Sequence, residues 1–151
     1  MRGRGRKSAR KPTEEHHVSN NVCALVVEDD AHNLIAVTAI LNELGICYKR
    51  NTTGAGVVRQ VHGMKPRPDF ILLSMDLAEY DPLGIILSLR TDTSLAHIPV
   101  IAMGGPDALA MQPKIRAAGC AGFLFKPLPR KHLDSYIRRI LTGEQVWQEA
   151  V

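Results

Sequence analysis

Three consecutive acids, Glu28, Asp29 and Asp30, follow an apolar run at 23–27. One Asp could serve ordinary turn chemistry as a helix N-cap, but a cap does not need three. Two carboxylates facing one crevice repel each other, and a divalent cation or a lysine is the usual relief. Lys126, followed by Pro127 at the end of a later apolar run, can supply that charge. Residues 68–84 hold further candidates: Pro-Asp-Phe-Ile-Leu-Leu-Ser-Met-Asp-Leu-Ala-Glu-Tyr-Asp-Pro-Leu-Gly. Positions 70–73 are apolar throughout, as in a strand buried on both faces of a parallel sheet. Such a sheet places its chemistry just past the carboxyl ends of its strands. The residue there is Ser74, with Asp76 two positions on. A serine hydroxyl is neutral and needs a general base to attack. The candidate pocket is therefore Glu28, Asp29, Asp30, Asp76 and Lys126 around Ser74. No nucleophile, base and orienting group form a set, so the chain is not expected to be an enzyme.

The elements that must position these residues follow from the hydrophobic pattern. Buried strands are expected over 23–28, 70–73, 99–103 and 122–125, with a weaker one over 46–50. Between them, apolar residues at helical spacing predict helices over 33–44, 54–62, 83–90, about 107–118 and 130–141. In the first, Leu34, Ile35, Val37, Leu41 and Leu44 share a face, and Gly45 follows as a C-terminal cap. Strands alternating with helices through short connections imply an α/β layer fold with a parallel central sheet. Right-handed crossovers then put helices on both of its faces.

A chain of 151 residues with 45% hydrophobic content suits one soluble domain. No apolar run approaches the ~20 residues of a membrane span, and no secretory signal is read at the N-terminus. A cytoplasmic protein is the expectation. The net charge of +4 is local: residues 1–17 hold six basic and two acidic side chains, leaving 13 of each in the remainder. Residues 1–20 are expected to be a disordered basic arm, because they bury too little apolar surface to offset ordering entropy. The arm reads first as a solvated tail, and second as a loose contact with nucleic acid or an anionic surface. The domain is placed at 21–142, with 143–151 as a C-terminal tail in which the setting of Trp147 stays open. Cys23, Cys47 and Cys120 match neither a zinc pattern nor a disulfide framework and are read as small buried hydrophobes in a reducing compartment. The six histidines form no metal spacing.

Four segments together carry a family resemblance. Val-Val-Glu-Asp-Asp at 26–30, Pro-Asp-Phe-Ile-Leu-Leu at 68–73 with Asp81 beyond, Ile-Pro-Val-Ile-Ala-Met at 98–103 and Ala-Ala-Gly-Cys-Ala-Gly-Phe-Leu-Phe-Lys-Pro at 117–127 occur in order. With them, residues 22–141 resemble bacterial response-regulator receiver domains. The resemblance implies a doubly wound, five-stranded, flavodoxin-like sheet of order 2-1-3-4-5. It places Glu28 and Asp29 on the metal-binding acids, Lys126 on the lysine that contacts the phosphoryl group, and Phe123 on the aromatic switch position. Two positions depart from the pattern. Ser74 stands where the family has its phospho-acceptor aspartate, and Gly104 where it has a Thr or Ser hydroxyl. Pro82 and Ala78 also replace the usual loop Gly and Pro.

Losing the acceptor carboxylate removes an anionic oxygen from the magnesium site, so Mg²⁺ is expected weakly at best on Glu28 and Asp29, and no cofactor is required. The resulting expectation is a stand-alone atypical receiver that binds a signalling protein, such as a histidine kinase or an output protein, without conventional aspartyl phosphorylation. Its expected surface, including for a homodimer, is the face from helix four to helix five. Two alternatives stay open: a phosphorylatable regulator using Asp76 or Ser74, and a nucleic-acid or surface adaptor acting through the basic arm.

Overall fold

Central strands that are apolar at every residue can be buried only between two helical layers, and the sheet is built that way. The computed structural model describes residues 21–149. Along the chain run β1 (Cys23–Val27), α1 (Ala31–Glu43), β2 (Cys47–Asn51), α2 (Val57–Gly63), β3 (Phe70–Ser74) and α3 (Pro82–Thr91). β4 (Val100–Gly104), a 3₁₀ helix (Pro106–Met111), α4 (Gln112–Ala118), β5 (Gly122–Phe125), α5 (Leu133–Leu141) and β6 (Val146–Trp147) follow. The sheet order is β2-β1-β3-β4-β5-β6, and every pairing is parallel.

Alternate strand residues feed two cores. Ala24, Val26, Phe70, Leu72, Ile101, Met103 and Leu124 pack with Val37, Leu41, Ile137 and Ile140 of α1 and α5. Leu25, Val27, Ile71, Leu73, Val100, Ala102 and Phe123 pack with Val61, Ile86, Leu89 and Ile115 of α2, α3 and α4. β1 sits between β2 and β3, so the connections from β1 and β3 leave on opposite faces of the sheet. The crevice between them opens at the strands' carboxyl ends.

The flavodoxin-like expectation with order 2-1-3-4-5 is met, with a short sixth strand added at the β5 edge. That strand lies within 143–151, read from sequence as a tail. Two residues of strand after four turn residues are too short a pattern to register. The helix expected over 107–118 is broken in two. Pro113 in the first turn of α4 has no N–H to donate, and its ring would clash with the carbonyl of residue 109 in a continuous α-helix. β2 reads weakly because it is an edge strand, with Lys49 and Arg50 exposed.

The cysteine expectation is corrected for two of the three residues. Cys23 and Cys47 are paired positions of β1 and β2, with Cα atoms 4.5 Å apart, and are joined as a disulfide. Cys23 is half-buried and Cys47 exposed, so neither is a core hydrophobe. Only Cys120 is buried and free. Parallel pairing of strands 24 residues apart brings the two thiols together, and no local spacing rule encodes that. Among the described residues, no helix is long and apolar enough to cross a membrane. The basic arm, and the nucleic-acid reading attached to it, lie outside the described residues.

Candidate functional site

Lys126 is the hub of the crevice. Its backbone N–H donates to Gly104 O at 2.9 Å, which fixes the end of β5 beside the end of β4. Its ammonium then reaches across the strand ends. It lies 2.7 Å from Glu28 Oε1 and 3.3 Å from Asp76 Oδ2, and donates to Ser74 Oγ at 2.8 Å. Glu28 is 1% exposed and the lysine side chain 9%, while Asp76 is 47% exposed at the rim. A buried carboxylate with so close a counter-charge is electrostatically relieved. The Lys126–Glu28 contact lacks hydrogen-bond direction, leaving Glu28 Oε1 without a directed donor, while Oε2 accepts from Asp30 N at 3.1 Å.

The three consecutive acids serve three purposes. Glu28 faces Lys126. Asp29 is exposed, and its Oδ2 accepts from the backbone N–H of Ala78 at 2.8 Å, tying the loop after β3 to the end of β1. Asp30 is the N-cap of α1 and accepts from Asn33 N at 2.9 Å. That amide is the main reason the Asp30 carboxyl lies below its ordinary value of 3.8, with the charge of Lys126 adding a smaller share. The first acid thus belongs to the crevice, the second to its loop and the third to the helix.

Ser74 ends β3 fully buried. Its Oγ takes two donors, Lys126 Nζ and the backbone N–H of Asp76 at 3.1 Å. A hydroxyl oxygen has two lone pairs, and both are engaged. Asp76 Oδ2 also accepts a long bond from Gly105 N at 3.4 Å, so its carboxylate spans the ends of β3, β4 and β5.

Gly104 is closed over. A Cβ built on it would lie 2.6 Å from Ala108 Cβ, 3.4 Å from Phe123 Cε1 and 3.6 Å from Met75 Cβ. The 3₁₀ turn therefore packs directly onto the backbone of β4. Phe123 is fully buried beneath it, edge-on to Phe125 with ring centroids 5.0 Å apart.

The donor set suits magnesium poorly. Mg²⁺ demands near-ideal octahedral oxygens, keeps several waters and takes one or two free carboxylates, usually with a phosphate. Here the ammonium of Lys126 sits between Glu28 and Asp76, and Asp29 is committed to Ala78. Among the described residues, no group of three or more His, Cys, Asp or Glu side chains is placed to hold a metal ion.

Ala108 and Met75 shape this site without carrying any chemical signature in the sequence, and Ala78, noted there only as a loop replacement, enters it through its backbone N–H. Asn51 was also missed. It is buried at the end of β2, accepts from Thr53 N and Gly54 N, donates to Ala55 O and Gln60 Oε1, and its carbonyl accepts from Glu28 N. An asparagine followed by Thr-Thr-Gly is a readable turn signal, and only its burial marks it as a support for the crevice.

Residues 24–138 match the family model described as the response regulator receiver domain. A curated relative, the polar-differentiation response regulator DivK of Brucella anthropi, is 30% identical over 104 residues, which cover 69% of this chain and 83% of the relative. The signal receiver domain of a DNA-binding response regulator from Colwellia psychrerythraea superposes with a TM-score of 0.72 at 24% identity, covering 82% of this chain and all of that one. The receiver domain of the sensor histidine kinase PA1611 from Pseudomonas aeruginosa, solved with magnesium in its active-site cleft, gives a TM-score of 0.72 at 24% identity and covers 81% and 98%.

Proposed function

The chain belongs to the response regulator receiver-domain family, a module of two-component signalling, and from that premise we propose that it is an atypical receiver that binds a signalling protein without taking an aspartyl phosphate. The observation that carries this reading is Ser74 at the carboxyl end of β3, held by Lys126 at 2.8 Å. A carboxylate at that point would be an ionised nucleophile. The hydroxyl is neutral, and its lone pairs face two donors. The carboxylates near it, Glu28 and Asp76, are engaged with Lys126 and do not serve as its base.

Two further features support the reading. Gly104 has no hydroxyl to bond a phosphoryl oxygen, and Ala108 fills the space into which such a side chain would grow. Phe123 is fully buried in the same core as Ala108, so packing fixes its ring inward. A ligand shifts a two-state equilibrium only through differential affinity for the two states, and the contacts that would create that difference are missing. The module therefore holds one resting conformation and signals through its partner, a histidine kinase, a phosphotransfer protein or an output protein. The partner surface is the face from α4 to α5. Magnesium, with Lys126 already in the crevice, is not needed.

The test is incubation with acetyl phosphate and Mg²⁺, followed by intact mass analysis and peptide mapping. No base-labile phosphate adduct is expected on the wild-type chain. Ser74→Asp adds a carboxylate beside Lys126 and is expected to acquire Mg²⁺-dependent thermal stabilisation. A stoichiometric acyl phosphate mapped to Asp76 would replace this reading with that of a working phospho-acceptor displaced by two residues.

A further inference from the structure

Within the face from α4 to α5, the edge of β5 is not open. In a five-stranded sheet of this order β5 would be a free edge, but here residues 146–148 lie along it. Val146 N donates to Ala121 O at 3.1 Å, and Gln148 N to Phe123 O at 2.9 Å. The Gln148 side chain finishes the edge: its Oε1 accepts from Phe125 N at 2.7 Å, and Gln112 Nε2 of α4 donates to Gln148 O at 3.3 Å. The side chains alternate as in any strand. Val146 is buried in the α1 and α5 core with Ile137 and Ile140. Trp147 packs on the opposite face, half-buried, with the Arg116 guanidinium 4.1 Å above its ring. Gly122 makes room for the segment, because a Cβ there would collide with the Val146 carbonyl oxygen.

The geometry points to this slot as a strand-binding site for a partner segment, shut in cis by the chain's own residues 146–148. The occupant in view is an extended peptide that adds in parallel to β5. It would carry a β-branched apolar residue, an aromatic and a Gln at successive positions. The chain's own segment displays that chemistry, because it is the ligand already seated. Backbone bonds supply pairing and alternate side chains supply specificity, as in other strand additions.

The occupant is also built to leave. It has two strand residues, one buried side chain and an exposed linker, residues 142–145, that turns at Gly143 with φ +99°. Short, edge-bound segments with few buried apolar contacts open at far less cost than core strands. Detachment would expose Phe123 and Phe125 backbone groups that, left unpaired, template another strand.

This inference rests on reading the chain as a protein-binding module, yet it is tested apart from phosphorylation. The probe is a fluorescein-labelled peptide of residues 143–149, Gly-Glu-Gln-Val-Trp-Gln-Glu, titrated by anisotropy into the full chain and its Val146→Asp variant. An aspartate in place of buried Val146 opens the slot in cis. The variant is expected to bind the peptide about tenfold or more tightly than wild type, and Trp147→Ala or Gln148→Ala in the peptide should each remove that gain. Hydrogen exchange supplies the second reading: the Phe125 amide should exchange faster in Val146→Asp while the β3 amides stay protected. The full-chain double variant Trp147→Ala, Gln148→Ala opens the slot without burying a charge and should behave alike. Peptide binding no tighter in either folded variant than in wild type overturns the proposal. So does loss of β3 protection in both variants, since the segment would then be an integral strand and not a displaceable one.

Discussion

Replacing Lys126 by Met removes, among the described residues, the only ammonium within ion-pair distance of Glu28. At 2.7 Å and an effective dielectric near 20, the attraction in that pair is about 6 kcal/mol, offset by several kcal/mol of desolvation on each side. The variant keeps the desolvation of Glu28 and loses the attraction. Removing one partner of a buried pair typically costs ~3–5 kcal/mol. Two features reduce that here: Asp30 N still donates to Glu28 Oε2, and the crevice opens to solvent at Asp76. Lys126→Met is therefore expected to lose about 2–4 kcal/mol at neutral pH and low salt. With a urea m-value of roughly 1.5–2 kcal/mol/M for a domain of this size, the midpoint should fall by about 1–2 M. Urea titration followed by Trp147 fluorescence and far-UV circular dichroism measures it. Glu28→Gln combined with Lys126→Met should recover most of the loss, because no uncompensated buried charge is left. A neutral or stabilised Lys126→Met, or a double variant no better than the single one, would show that the lysine does not neutralise Glu28.

Gly104→Thr should destabilise by about 1–3 kcal/mol through overpacking against Ala108, and Ala108→Gly should recover part of it in the same thermal melt. The Asp30 carboxyl is lowered in the folded state, so the stability it contributes is present above its unfolded value of 3.8 and is lost as pH falls through the folded value. Asp30→Asn, which caps without titrating, should flatten that part of the acid limb of Tm against pH, and an unchanged acid limb would deny the cap its role. Thiol titration of the denatured, unreduced protein should find one thiol, Cys120, and three after reduction. In the native state Cys120 should react slowly, because burial pushes its thiol up to about 12.

The order of strands and helices was legible in the sequence because each element is periodic within a few residues. Strands apolar at every position identify β1, β3 and β4 as interior, and the charged edge strand β2 reads weakly for the same reason it is exposed. The acids after β1, the lysine after β5 and the serine after β3 were also legible, since a parallel sheet brings all strand carboxyl ends to one side. Tertiary structure alone decided how these groups divide the work. Which of Glu28, Asp29 and Asp30 meets Lys126 depends on the turn into α1 and the loop after β3, where the backbone amides of Asn33 and Ala78 respectively claim two of the three carboxylates. The cross-strand pairing of Cys23 with Cys47, the contact of Ala108 with Gly104 and the closure of the β5 edge by residues 146–148 are likewise non-local. Each depends on register or packing between segments distant in the chain, and alanine, glycine and a two-residue strand leave no periodic trace from which such contacts can be read.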